Sequence, residues 1–513
     1  MSWSSAFIDK LSTRNRAIKF FARVVQPANN AGPGGSGDLP EVKRVSVRGG
    51  RLTPVTWAST FGGFTVVIST TNAANVHGIL RRGSIVEVHA GFDGWSESQY
   101  EVICRGRVRT VSGTYPEFAI ECVDLLGALV TRPASGNIER QFLFYDGGAP
   151  VAAAGNGYNL TFSSETATTL VMTSAIDTTK FVYDSSVAAG LLKVEDSGGD
   201  YYVTYTGISG STFTGVQAVG AGSFGTTRPA TTSASANVVH VPYLRDHPAD
   251  IARRMLVSTG AGTNGTYDTA PEPWGFAFDD SWISHSGFNR WSTLVMTATS
   301  GTYEWEVRAE ARQTSGLSWL TPLMSAAGCW LTMRQGQVTF RAAQDLYPPT
   351  RDSGFHIVDD YIAQVLAYSA WDPSVPAEYG RVKLTGPTTV QTTDSTNGVG
   401  SVPGGYVKEY DLSSVAWQNE SAVLAGDRNR LLEWGFVVPE LVKLRTSSLR
   451  FAQLAAGDYV RVSSRRLAGR LERADSTFDE RRAMVTSVTP HWMDGVVDVE
   501  LSLPPEKNDS DQG

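Results

Sequence analysis

The sequence predicts a mainly β, multi-domain protein with an α+β middle section, and three observations carry that prediction. The chain has 513 residues, too many for one hydrophobic core. It carries 51 glycines with Ser and Thr dense throughout, which favours strands joined by many turns. Short runs alternate apolar and polar residues with a period of two, at a spacing of roughly 8–12 residues.

The elements follow in chain order. Ser5 to Leu11 reads as one or two helical turns, and Ile18 to Val25 as the first strand. Ala28 to Leu39, rich in Asn, Gly and Pro, reads as a loop. Strand signals recur at Val45–Val47, Gly63–Ile68, Arg82–His89, Tyr100–Val108 and Phe118–Val123. Residues 1–145 are therefore expected to form a closed or nearly closed antiparallel β-barrel or a sandwich, and closure would remove exposed edges. Residues 146–240 are poor in charge and rich in Gly, Ser, Thr and Ala, the composition of a small inserted β-domain. Within it, 190–195, 201–207 and 212–216 are expected to form a three-strand meander.

Residues 241–354 read as an α+β middle domain. Asp246-His247-Pro248 opens a helix running to Leu256, with Pro248 in the first turn and Gly260 beyond the last. A second helix is expected at 317–328, then a hairpin from Cys329 to Arg341 turning at Gln335-Gly336. Residues 355–505 are expected to form a second β-barrel with a helix packed on it. Its strands are Arg381–Leu384, Val407–Leu412, Val442–Thr446, Leu449–Leu454, Ala456–Val462, Ala483–Thr489 and Val497–Leu501, and the helix is Ser421–Leu432. Residues 506–513 are a loose polar tail.

The composition is globular, with 41% hydrophobic and 19% charged residues. The formal charge of -7 argues against broad phosphate neutralisation by the surface. No apolar signal core is present in 1–16 and no run is long enough to span a membrane, so export by a cleaved signal is not expected. Cys104, Cys122 and Cys329 cannot build a disulfide framework or a zinc pair. Cys104 and Cys122 could lie on neighbouring strands, with reduced buried thiols the simpler expectation.

The sequence offers little chemistry. No two of the seven histidines lie within four residues of each other, and neither a phosphate loop nor a nucleophile elbow occurs. Asp279 and Asp280 sit among Trp274, Phe276, Phe278 and Trp282, and Glu304, Glu306 and Glu310 flank Trp305. Carboxylates beside aromatics are what glycan cleavage requires, so a glycan-binding or glycan-cleaving protein is the alternative reading. Solvent-face residues of an ordinary strand explain Glu304 and Glu306 more simply. Basic clusters occur at Arg81-Arg82, at Arg105, Arg107 and Arg109, and at Arg465-Arg466. Arg105, Arg107 and Arg109 are expected on one strand face, as a contact for DNA or an acidic partner ring or as a plain solvated sheet face, with an interface to another subunit the favoured reading. Neither catalytic residue, cofactor nor metal is expected.

Several motifs, in order, resemble bacteriophage tail hub (baseplate hub, tail-tip) proteins. The first tube-like domain of that family is matched by Thr53–Trp57, Gly63–Val66, Leu80–Val88 (with Arg82-Gly83, Val86 and Val88), Cys104-Arg105-Gly106-Arg107-Val108, Ile120–Asp124 and Asp124…Leu129. Later, His247–Leu256, Thr259-Gly260 and Asn264–Asp268 are similar to the segment that follows the insertion, Tyr205–Val216 resembles a small β-module of virion proteins, and Leu454–Val460 resembles a strand opening. Ala455-Ala456 stands where the family often has a proline. The resemblance implies a non-enzymatic virion protein at the distal tail end, made in the host cytoplasm. It further implies a homotrimer whose two related barrels per chain adapt a sixfold tail tube to a threefold tip. The implied partners are a distal tail protein or tube ring, the C-terminus of the tape measure protein and a tail fibre or spike. DNA would pass through the lumen without specific binding during ejection.

Overall fold

The structure, a computed structural model, describes residues 3–13, 17–26, 37–53, 57–70, 76, 80, 82–130, 159–176, 190–218, 228–233, 236–241, 243–246, 248–257, 278–289, 305–308, 321, 324–325, 328–342, 354–369, 379–385, 390–394, 406–411, 415–417, 440–467 and 480–503. It is mainly β, built of several largely antiparallel sheets in two compact units. The first comprises Met1–Pro133, Gly328–Glu378 and Glu433–Gly513; the second comprises Ala134–Ala327 and Tyr379–Leu432.

The chain opens with helix α1 (Ser5–Leu11), the helix expected there. The Ser4 hydroxyl caps it by accepting from the Phe7 N–H, and Phe7 and Leu11, one turn apart, are its buried residues. Then come β1 (Ile18–Gln26), β2 (Gly37–Asp38), β3 (Glu41–Arg48), β4 (Arg51–Thr53), β5 (Ala58–Thr60), β6 (Gly63–Ser69), β7 (Ile85–Phe92), β8 (Glu101–Thr114) and β9 (Glu117–Asp124), and α2 (Leu125–Val130). They form one sheet of order β2-β1-β7-β8-β9-β6-β3, with β4 and β5 off it.

The second unit holds β10 (Asn159–Thr166), β11 (Thr169–Met172), β12 (Gly190–Glu195), β13 (Tyr201–Tyr205), β14 (Gly207–Ser209), β15 (Thr212–Thr214), β16 (Gln217–Ala218) and β17 (Asn237–Val241). Their order is β14-β15-β11-β10-β17-β12-β13-β16. The expected meander is therefore split: β12 pairs with β13, but β15 pairs with β11 and β14. One residue separates β13 from β14, too few for a hairpin that would bring the chain back alongside β13. Leu170, Leu192, Tyr205, Phe213 and Val238 lie in this sheet's own buried core. Glu165 fastens the stretch 228–233 by accepting from Arg228 Nη2 at 2.7 Å and Thr232 N at 2.6 Å. Beyond it lie β18 (Tyr243–Asp246), α3 (Pro248–Val257) and β19 (Trp305–Arg308), the helix falling where Pro248 in its first turn predicts it.

Back in the first unit, β20 (Cys329–Arg334) and β21 (Gln337–Ala342) form the expected hairpin. Gln335 and Gly336 both have positive φ, 52° and 72°, the two-residue turn whose twist suits a hairpin. The stretch 241–354 is thus shared between the two units, dividing at Gly328. Next are β22 (His356–Val358) and β23 (Ile362–Ser369). The strands β24 (Tyr379–Thr385), β25 (Val390–Asp394), β26 (Tyr406–Asp411) and β27 (Val415–Trp417) belong to the second unit. The strands expected at 381–384 and 407–412 therefore exist, but β24 and β26 pair with each other rather than joining the C-terminal sheet. The chain ends with β28 (Glu440–Thr446), β29 (Tyr459–Ser463), β30 (Arg481–His491) and β31 (Val496–Leu503). Leu449–Leu454, expected as a strand, is instead a 3-10 turn over Leu449–Gln453 capped by the Ser448 hydroxyl. A short apolar run does not by itself distinguish strand from helix. The helices expected at 317–328 and 421–432 fall largely or wholly outside the described residues; of the loop expected over Ala28–Leu39, residues 28–36 lie outside them and Gly37–Asp38 form β2, paired with β1, rather than loop.

The C-terminal sheet runs β22-β29-β30-β31-β28-β23. Numbered along the chain, its strands stand in the order first, fourth, fifth, sixth, third, second. The strands β1, β3, β6, β7, β8 and β9 of the N-terminal sheet stand in that same order. The agreement extends to single residues. Leu80, Gly83, Val86 and Val88 correspond to Leu454, Gly457, Val460 and Val462, and all three apolar pairs are buried. Gly83 and Gly457 both take a positive φ, 99° and 93°, which favours glycine. Gly83 N–H donates to Val108 O and Val108 N–H to Ser84 O; Gly457 N–H donates to Val485 O and Val485 N–H to Asp458 O. The fifth strand then carries a β-bulge in both sheets, between Val108 and Thr110 and between Val485 and Ser487. The second strand carries another, between Val42 and Arg44 and between Ile362 and Gln364. Two bulges at matched positions hold the sheets, as repeats, in a common register over these strands, because a one-residue slip would turn every following side chain to the other face; β23 carries one further bulge, between Val365 and Ala367, that β3 lacks. They differ at the first strand, which is antiparallel to the fourth in β1–β7 and parallel to it in β22–β29. Among the described residues neither ladder closes on itself by strand pairing.

The repeats share one buried core, to which Phe7, Val66, Val86 and Ile120 of the first and Leu444, Val460, Val485 and Leu501 of the second all belong. Trp3 bridges them: its indole N–H donates to Val102 O at 2.8 Å, and its ring meets Trp492 edge-on at 6.0 Å.

Candidate assembly interface

The seam between the repeats is made of three devices. The first is the β4–β5 hairpin, which leaves the N-terminal sheet between β3 and β6 and lays β4 against β30, pairing Arg51 with Ser487. Arg51 Nε meets Glu500 Oε1 at 2.6 Å. The backbones approach so closely that a Cβ on Gly49 would lie 2.0 Å from Val488 O.

The second device is the β20–β21 hairpin, inserted between the repeats. Trp330 stacks on Trp57 with centroids 5.2 Å apart and planes 6° from parallel, and its indole N–H donates to Ala456 O. Arg334 Nε donates to Gln453 O, and Arg341 pairs with Asp458 at 3.3 Å. At the hairpin tip, Gly336 O accepts from Arg105 Nη1 at 2.9 Å. Arg105 Nε also donates to Glu87 Oε1 at 2.6 Å. Burial alone would push the Glu87 carboxyl up, but His89 and Arg105 outweigh it and hold the group below its usual range.

The third device is a cavity of about 130 Å³ lined by Arg48, Asp124, Trp330, Arg334 and the backbone of 49–50 and 454–456, among others. Asp124 accepts from Gly62 N–H and from Gly127 N–H, both at 2.6 Å, which starts α2. Burial pushes its carboxyl up to about 6, opposed by backbone donors at Gly127, Gly62 and Leu126 and by the Arg48 charge.

The basic residues singled out in the sequence do not form one row. Arg81 lies outside the described residues and Arg82 is exposed. Arg105 is 6% exposed and its guanidinium is spent inside the chain, on Glu87 and Gly336. Arg107 is half-buried, and burial together with the Arg82 charge pulls it below its usual range. Arg109 is exposed as the extra residue of the bulge, which breaks the strand alternation expected to align it with Arg105 and Arg107. Arg465 and Arg466 are exposed; the Arg465 N–H donates to Asp359, and Arg466 Nη1 donates to Ile362 O at 2.6 Å.

Of the carboxylates behind the glycan reading, Asp279 is exposed and caps the 3-10 turn Asp280–Trp282 by accepting from the Ser281 N–H and hydroxyl. Asp280 is exposed and pairs with His285 at 2.7 Å. Glu306 sits on β19, opposite Arg245 and Ala416, and Glu304 and Glu310 lie outside the described residues. Among the described residues no group of three His, Cys, Asp or Glu side chains is placed to hold a metal. No described helix is long and apolar enough to cross a membrane. Cys104 pairs across the ladder with Val88 and Cys122 with Val108, so the two thiols are not partners; both are free and buried, as is Cys329.

Sequence reading missed Glu87, Trp330, Arg341 and Asp458 as members of the seam. The signal that leads to Glu87 and Asp458 is internal: Leu80-x-x-Gly83-Ser84-Ile85-Val86-Glu87-Val88 laid over Leu454-x-x-Gly457-Asp458-Tyr459-Val460-Arg461-Val462.

No protein-family model matches the chain, and no curated protein matches it. Two solved structures are similar in part. One is the 43 kDa tail protein of prophage MuSo2 from Shewanella oneidensis, at 10% identity, covering 94% of this chain and 98% of that one with a TM-score of 0.38. The other is a chain of the virion of a native gene transfer agent particle, at 15% identity, covering 46% of this chain and 83% of that one with a TM-score of 0.18.

Proposed function

We propose that this chain is a non-enzymatic structural virion protein: the trimeric hub at the distal end of a phage-type tail, adapting a sixfold tube to a threefold tip and lining the DNA exit channel. The pair of sheets with one strand order and matched bulges carries this reading. A closed ring of three chains, each with two near-equivalent domains, presents six similar edges to a sixfold neighbour and three identical chains to a threefold one. The ordered tail-hub motifs of the sequence fall on the equivalent strands of both repeats, at Leu80–Val88 and Leu454–Val462, which supports it further. Under this reading the sixfold side receives a distal tail protein or tube ring. The lumen receives the tape measure C-terminus, the threefold side a fibre or spike, and DNA passes without sequence-specific contact.

Sedimentation equilibrium of the purified chain tests the reading. The expected mass is three times the 55.3 kDa chain. A single-chain mass across the micromolar range overturns it, as does immunogold labelling of intact particles that marks any place other than the distal tail end.

A further inference from the structure

The two repeats differ in what covers the fifth strand. In the second repeat, β29 covers β30 up to Val485, and β4 of the first repeat takes over at Ser487. Arg51 reaches Glu500 from that strand, and Glu500 Oε1 also accepts from the Thr486 hydroxyl at 3.2 Å. In the first repeat, β7 and the residues just before it cover β8 up to Val108. From Thr110 to Thr114 no described residue pairs with that side of β8, although β9 pairs with the other. The matched register puts Thr110 at the place of Ser487, Val111 at that of Val488 and Glu121 at that of Glu500. Thr110, Ser112 and Glu121 are exposed and Val111 is half-buried.

We propose that the uncovered side of β8, Thr110–Thr114, is a strand-acceptor site filled by an extended segment of a second copy of this chain. That segment would carry a cation over Glu121 as Arg51 lies over Glu500. Within one chain the equivalent acceptor, on β30, is already filled by β4, a strand belonging to the other repeat, which points to a second copy as the donor. The repeat whose acceptor stands open therefore needs a repeat from another chain. A free edge of backbone donors and acceptors gives the affinity, and Glu121 gives the register. Donation that runs from repeat to repeat is head-to-tail, and such contacts form a ring when the rotation between copies closes. The inference rests on the trimeric reading above and names the contact that would hold the trimer.

The experiment places a photo-crosslinking amino acid at Thr110 in an equal mixture of 14N- and 15N-labelled full-length chains. The expected product joins light to heavy chains, and its linked peptides map Thr110 to a segment of the other copy. Glu121→Arg is expected to weaken self-association at least tenfold in sedimentation equilibrium, while Glu97→Arg, an equal charge change on an exposed turn, leaves it unchanged. If the mass is three chains and Thr110 yields no light–heavy product, this site falls and the hub reading stands. If Glu121→Arg associates like wild type, the site falls likewise. A single-chain wild-type mass removes both.

Discussion

Arg105→Ala removes the cation that holds Glu87 and the Gly336 carbonyl together at the seam. Both members of the pair are nearly enclosed, with Glu87 9% and Arg105 6% exposed. Removing one partner of a buried pair strands the other charge, a loss of roughly 3–5 kcal/mol. The Gly336 carbonyl loses its donor as well, but the two effects share one side chain and do not add in full. The expected loss is about 4 kcal/mol, read from the urea midpoint of the first unit. Glu87→Gln in the same background should restore more than half of it, because a neutral amide needs no counter-ion. The pH dependence supplies the sign. In the wild type the folded-state pKa of Glu87 is depressed, so its contribution is present above the unfolded value near 4.5 and is lost as pH falls. In the variant burial acts with one counterweight fewer, so the folded-state pKa rises. The stability gap between the two proteins should therefore narrow from pH 7 towards pH 4. A loss under about 1 kcal/mol, or a gap of equal size at both pH values, refutes the claim that this pair is a buried, coupled element.

Two further predictions concern the same unit. Gly457→Ala places a Cβ 2.2 Å from Trp330 Cζ2 at a φ of 93°, so both sterics and backbone oppose it. A loss of roughly 3 kcal/mol or more in urea unfolding is expected, and a neutral result would contradict the close packing of hairpin and repeat. The three cysteines are free and buried, with Cys104 pushed up to about 12 by burial, so none should react with a thiol reagent at pH 8 until the chain unfolds, when all three should.

Much of the local structure was legible in the sequence because it is set by neighbours a few residues apart. The alternation in Ile85–His89 marks β7, Gln335-Gly336 marks a turn, and Ser4 with Phe7 and Leu11 marks α1. The misreadings have one cause. Leu449–Gln453 is apolar enough for a strand, yet it turns, and Arg109 sits in a run that alternates until a bulge interrupts it. Neither event has a strong local signature. Arg105 looked like a surface residue because its partners, at Glu87 and Gly336, are remote along the chain.

The sequence by itself determined a mainly β chain, its turns, many of its strands and the two similar motifs around Gly83 and Gly457. Period and turn chemistry act within a few residues, so no tertiary information is needed to read them. Only the tertiary structure decided that those motifs head sheets of the same strand order, that β4 crosses to the second sheet, and that, among the described residues, one fifth strand is covered past its bulge while the other is not. Strand order and edge coverage are pairings between residues far apart along the chain, and their energies depend on which backbones meet rather than on what either segment prefers alone.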